Sequence, residues 1–130
     1  MLYGAHVLLY SDDAEADRAF LRDTLGLAGI DVGRGWLIFA LPPAEVAVHP
    51  SEGAPPQVHG GHSLLGAVLY FMCDDVCAYV LRLAGMGVVC TEISEEPWGL
   101  RTTIPLPSGG ELGLYQPSHP VAFERKVVAG

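Results

Sequence analysis

Few side chains in this 130-residue chain are equipped for acid–base or metal chemistry, and each can be weighed by name. His6 falls inside a predicted opening strand, AHVLLY. There it is either a half-buried ring bonded to a neighbouring carbonyl or a functional imidazole. Glu111 stands between Gly110 and Leu112 at the start of the last predicted strand. A carboxylate turned into a cleft at that point is costly unless paired or bound to a cation; the ordinary alternative is a solvated residue beside the glycine turn. If the two meet, they can share a proton as an acid–base pair. His49 ends a third extended segment, but Val46 and Val48 have the opposite parity. If the valines face inward, His49 faces away unless a bulge turns it. His62 precedes a second-half strand, and His59 lies in a proline- and glycine-rich stretch. An exposed loop histidine is the ordinary reading of all three.

Trp36, Phe39, Tyr70, Trp98 and Tyr115 are candidates to line an apolar pocket, although an aromatic on a strand is ordinarily core. Trp98, in an acidic loop beside Gly99, is the best placed to form a wall. Arg101 is one of only seven basic residues. It can bind an anionic substrate or pair with a surface glutamate. Cys73, Cys77 and Cys90 are an odd number without metal-knuckle spacing, and read as small buried hydrophobes in a reducing compartment.

Positioning these groups falls to a duplicated element. GAHVLLYSDDAEADRAFLRDTLGL, residues 4–27, reads as strand, turn and helix. Asp12 or Asp13 caps the helix and Gly26 ends it. A shift of 61 positions lays Asp13 on Asp74 and Gly26 on Gly87 in AVLYFMCDDVCAYVLRLAGMGV, and lays His6 on Ala67. A repeat half the length of the chain predicts two copies of one unit. Module one spans 3–49, with strands at 4–10, 30–32, 36–41 and 45–49; a linker follows at 50–62. Module two spans 63–117, with strands near 64–72, 88–91, 99–106 and 111–115, an acidic loop at 92–97, and a tail at 118–130. The expected fold is α+β: two βαβββ modules whose eight strands curl as one mixed sheet around a cleft, with the helices outside.

The totals narrow the function classes. A formal net charge of −8 repels phosphate backbones and anionic headgroups, which argues against nucleic acid and membrane-surface partners. Runs such as LLGAVLYFMC stop well short of the roughly twenty apolar residues a membrane span needs. No basic leader with a cleavage signature opens the chain, so the cytoplasm is the expected compartment.

GAHVLLYSDD with its helix ending at LGL, AVLYFMCDD, and WGLRTTIPLPSGGELGLYQPSHP resemble the vicinal oxygen chelate superfamily. That superfamily includes glyoxalase I, extradiol dioxygenases and bleomycin resistance proteins. The likeness covers residues 3–120 and is most specific in the last motif; it is closest to small bacterial glyoxalase/dioxygenase-like proteins. It implies a divalent ion (Fe, Mn, Zn or Ni) in the cleft, with ligands at His6 and Glu111. The position where the family often carries a second imidazole is Ala67, and the glutamate position of glyoxalase I falls on Val46. A third ligand would have to come from His49 or His62. Two imidazoles and a carboxylate leave open positions on the metal where an oxygenated substrate can bind.

The first functional reading is therefore a metal-dependent lyase or dioxygenase, with Glu111 catalytic and a small oxygenated organic substrate in the cleft. The alternative, favoured by Ala67 and the acidic surface, is a metal-free protein that binds a drug or antibiotic as bleomycin resistance proteins do. A third is a scaffold without small-molecule activity. The resemblance also implies a homodimer.

Overall fold

The computed structural model describes residues 1, 5–50, 53, 57–64 and 66–123. Helix α1 (Ala14–Ala19) starts where Asp13 accepts the Ala16 N–H at 3.1 Å, which satisfies one of the first-turn donors. It runs on as a π-helical turn, Phe20–Thr24. Gly26, at φ +72°, then lets the Leu27 N–H fold back to the Leu21 carbonyl at 3.0 Å.

Two short hairpins follow. Strands β1 (Gly29–Asp31) and β2 (Leu37–Phe39) pair antiparallel, and the Asp31 carboxylate accepts the N–H groups of Gly33 and Gly35 in the turn. Strands β3 (Gln57–His59) and β4 (His62–Leu64) pair across Gly60 and Gly61.

The larger sheet belongs to the second half. It comprises β5 (Tyr70–Met72), β6 (Ser94–Glu96), β7 (Gly99–Pro105) and β8 (Glu111–Pro117), in the order β5-β8-β7-β6. Only the β5–β8 pair is parallel. Helix α2 (Val76–Gly85), capped by Asp75 at the Ala78 N–H, covers one face. Val76 and Leu83 of α2 meet Ile104, Leu112 and Leu114 of the sheet to form the fully buried core. Phe20, Leu21 and Leu25 of the first helical segment pack on the same cluster.

A polar clamp fixes that docking. Asp17 on α1 is only 8% exposed. Its carboxylate accepts Ser11 Oγ at 2.6 Å, Ser108 Oγ at 2.7 Å and the Ser108 N–H at 3.1 Å. Ser108 lies in the β7–β8 turn, so the bonds tie the first helix to the last hairpin.

The mixed α+β character agrees with the sequence reading, but the single curled sheet does not appear. The described strands are split into two pairs and one four-stranded sheet. Residues 5–10 and 45–49 pair with no strand among the described residues. Residues 88–91 form no strand; their link to β7 is made at Thr91, whose N–H donates to the Thr103 carbonyl and whose carbonyl accepts the Thr102 hydroxyl at 2.6 Å. The expected acidic loop contains β6, and the expected linker carries β3 and the start of β4. Of the predicted tail, 124–130 lies outside the described residues. No helix among the described residues is long and apolar enough to cross a membrane.

Candidate functional site

Strand alternation decides which groups share a surface. With Leu112 and Leu114 turned to α2, the face of β8 opposite carries Glu111, Gly113 and Tyr115. Register then places Arg101 opposite Tyr115 and Thr103 opposite Gly113 on β7, and Tyr70 beside Gly113 with Met72 beside Tyr115 on β5. This is the face of the sheet turned away from α2.

Its centre is aromatic. The rings of Tyr70, Trp98 and Tyr115 make three mutual edge-to-face contacts, with centroids 5.8, 5.5 and 5.1 Å apart. The cluster depends on Gly113: the Tyr70 ring lies across it, and a Cβ there would collide with the ring. Tyr115 also stacks on His119 at 5.9 Å, and its hydroxyl lies 3.1 Å from Nε2. Because a carbonyl can only accept, the 2.8 Å contact from His119 Nδ1 to the Pro120 oxygen puts the ring proton on Nδ1. In the neutral ring Nε2 is therefore the acceptor and Tyr115 the donor. Burial, then the negative charge of Glu45, then Tyr70 push the Tyr115 phenol above its ordinary range, so it keeps its proton. Glu45 is held there by accepting the Ala122 N–H at 2.9 Å.

Beside the rings lies a depression of about 430 Å³ lined by Glu92, Ser94, Arg101, Thr103 and Glu111, among others. Arg101 is not a free cation. Its Nε donates to Glu96 at 3.3 Å, and Ser94 Oγ donates to the same carboxylate oxygen at 2.9 Å. Hydrogen bonds from Ser94 and Arg101 hold the Glu96 carboxyl below its ordinary range. Glu96, followed by Tyr70, raises the Arg101 guanidinium. Of the two sequence readings of Arg101, pairing with a glutamate is what is observed.

Glu111 is exposed at the start of β8 and lines the depression. Water hydrates it, so the expected cost of an inward-turned carboxylate does not arise. His6 is exposed, in the extended segment before α1. His49 is exposed too, and donates Nδ1–H to the Pro50 carbonyl at 2.8 Å. Trp36 lies under the Arg18 guanidinium at 4.7 Å, and the Phe39 ring covers Gly29 across the first hairpin. Neither makes a ring contact with the Tyr70 cluster among the described residues.

Among the described residues no three His, Cys, Asp or Glu side chains group closely enough to hold a metal ion. The set implied by the resemblance, His6, Glu111 and a recruited His49, does not form such a group among the described residues. Sequence reasoning missed His119 and Glu45. For His119 a signal was available: it follows Tyr115 by four residues and is fixed against Pro120. Nothing local marks Glu45, whose partners lie some seventy residues away.

A family model described as the glyoxalase/bleomycin resistance protein/dioxygenase superfamily matches residues 5–117. No curated protein matches the chain. Among solved structures, an antibiotic binding protein from Streptomyces sp. CB03234 is similar at 26% identity, covering 91% of this chain and all of that one, with a TM-score of 0.59. A glyoxalase/bleomycin resistance protein from Streptomyces sp. CB03234 is similar at 25% identity, covering 82% of this chain and 93% of that one, with a TM-score of 0.53. A lactoylglutathione lyase from Agrobacterium tumefaciens shares the fold at 20% identity, covering 88% of this chain and 92% of that one, with a TM-score of 0.60.

Proposed function

The chain belongs to the glyoxalase/bleomycin resistance protein/dioxygenase superfamily, and from that premise we propose that it is a small-molecule binding protein that takes an aromatic, cationic ligand without needing a metal. The observation that carries this is the Tyr70–Trp98–Tyr115 cluster on the face turned away from α2, beside a depression holding Glu92 and Glu111. The half-buried Tyr70 and Trp98 rings, held against the buried Tyr115, offer area for stacking at little entropic cost, and aromatic faces attract cations. The carboxylates supply charge of the matching sign, since Arg101 is engaged by Glu96. The likeness to an antibiotic binding protein supports a small-molecule ligand.

The test is a thermal-shift and tryptophan-fluorescence screen of planar aromatic cations in the presence of EDTA. Stabilisation and quenching whose midpoints shift about tenfold to higher ligand concentration in Trp98→Ala are expected. A hit that requires added metal, or none at all across the screen, overturns the reading.

The metal-dependent enzyme keeps one supporting observation, the exposed Glu111 carboxylate at the depression. It requires that Fe, Mn, Zn or Ni bind stoichiometrically and that Glu111→Ala abolish that binding in calorimetry; binding indifferent to Glu111 removes it.

We further infer that the working form is a homodimer. Val7, Leu8, Leu9 and Tyr10 are 46–55% exposed, and Val46 and Val48 are above 90%. Residues 7–10 join no strand ladder among the described residues. A second copy offers the same unpaired segments, and pairing them satisfies backbone and apolar surface together.

A further inference from the structure

We propose that the β3–β4 hairpin is a binding site for a divalent transition-metal ion, copper(II) above all, held by the imidazoles of His59 and His62. Gly60 and Gly61 both have positive φ, 56° and 76°, as a two-residue turn of the mirror-image type requires. That turn fixes the register, and His59 and His62 are direct cross-strand partners. Partners in register project from the same side of a hairpin, with Cα atoms about 5.5 Å apart or closer. Two metal–nitrogen bonds of about 2.0–2.1 Å need ring nitrogens roughly 3 Å apart, which such a pair reaches by side-chain rotation.

Both rings are already constrained. His62 donates Nδ1–H to the Ser63 carbonyl at 2.9 Å, which leaves the Nε2 lone pair outward. A backbone carbonyl on the far nitrogen is a common way of orienting a metal-binding imidazole. His59 packs its ring on Tyr10, with centroids 4.1 Å apart and planes inclined by 40°. Both histidines are exposed, so the ion arrives hydrated and water completes its coordination. Imidazole suits zinc, nickel and copper, and among divalent ions of this row copper(II) binds nitrogen sites most strongly. The net charge of −8 favours cation approach. Neither histidine belongs to the aromatic face or to the depression beside it, so the hairpin site stands or falls independently of the ligand proposed there.

The test titrates copper(II) into the full chain at pH 7.5, followed by calorimetry and electron paramagnetic resonance. One equivalent is expected, with a signal showing coordinated imidazole nitrogen. His59→Ala and His62→Ala each weaken it at least about tenfold. His6→Ala, His49→Ala and Glu111→Ala leave it unchanged, which separates this site from the cleft-type set. Far-UV circular dichroism confirms that the variants fold, as expected for an exposed hairpin. Copper binding that survives in the double variant H59A/H62A, or no equivalent bound by the unmodified chain, overturns the proposal.

Discussion

At the scale of single residues, Trp98 and Gly113 set the quality of the proposed ligand face by opposite means. Trp98 supplies ring area, and its removal is expected to cost about 1–1.5 kcal/mol of binding, roughly tenfold in Kd, together with a loss of stability of about 1–3 kcal/mol from its two ring contacts. Fluorescence titration against the unfolding midpoint separates the two effects. Gly113 supplies absence: the β8 backbone passes under the Tyr70 ring with no Cβ between them. Gly113→Ala should dislodge Tyr70 and destabilise the fold by about 1–3 kcal/mol, as small-to-large changes in packed sites do; urea denaturation measures it. The cysteines make a third case. Burial, aided by Asp74 and Asp75, pushes the Cys73 thiol up to about 11, whereas Cys77 is exposed. At pH 8 only about one thousandth of Cys73 is thiolate, so alkylation followed by mass spectrometry should mark Cys77 and spare Cys73. The same shift has a stability consequence of definite sign. A thiol raised from 9.0 to about 11 in the folded chain contributes stability that is whole below pH 9 and is lost as pH climbs through 11. The raised Tyr115 phenol acts in the same direction above pH 10. Melting curves from pH 8 to 11 should therefore fall, and Cys73→Ala should flatten the first part of the fall.

At the scale of elements, the clamp between α1 and the β7–β8 turn is the contact to break. Asp17 accepts three hydrogen bonds, two from Ser108 and one from Ser11, at a site 8% exposed. Asp17→Ala leaves the Ser108 donors without their partner in a largely dry place. The expected loss is about 1–3 kcal/mol. Chemical denaturation checks it, and Asp17→Asn should recover part of the loss by keeping an acceptor. A surface helix-dipole role for Asp17 predicts instead a change of a few tenths of a kcal/mol.

At the scale of the whole molecule, charge and apolar exposure pull against each other. A net charge of −8 keeps copies apart, while residues 7–10 and the valines at 46 and 48 expose apolar surface among the described residues. Sedimentation equilibrium should show a dimer that tightens with added salt, as screening weakens repulsion and leaves burial intact. Leu8→Asp should shift it to monomer while α2 and the large sheet remain folded. A monomeric wild-type chain at tens of micromolar would remove this reading.

What the sequence determined by itself was local. An aspartate, Asp12 or Asp13, is marked as the first helix cap, a role that Asp13 fills, and Gly26 ends the first helical segment. The strands β7 and β8 fall where apolar residues alternate around a Ser-Gly-Gly turn, and the same motif carries the family likeness. These follow from the chemistry of a few adjacent residues, which is the same wherever the segment is placed. What only the tertiary structure decided was long-range: that Asp17 would reach Ser108, that Glu45 would approach Tyr115, and that Tyr70, Trp98 and Tyr115 would meet while Trp36 and Phe39 would not. A strand's pattern says which way its side chains alternate, but not which neighbour pairs with it, because register and docking are set by surfaces far away in the chain.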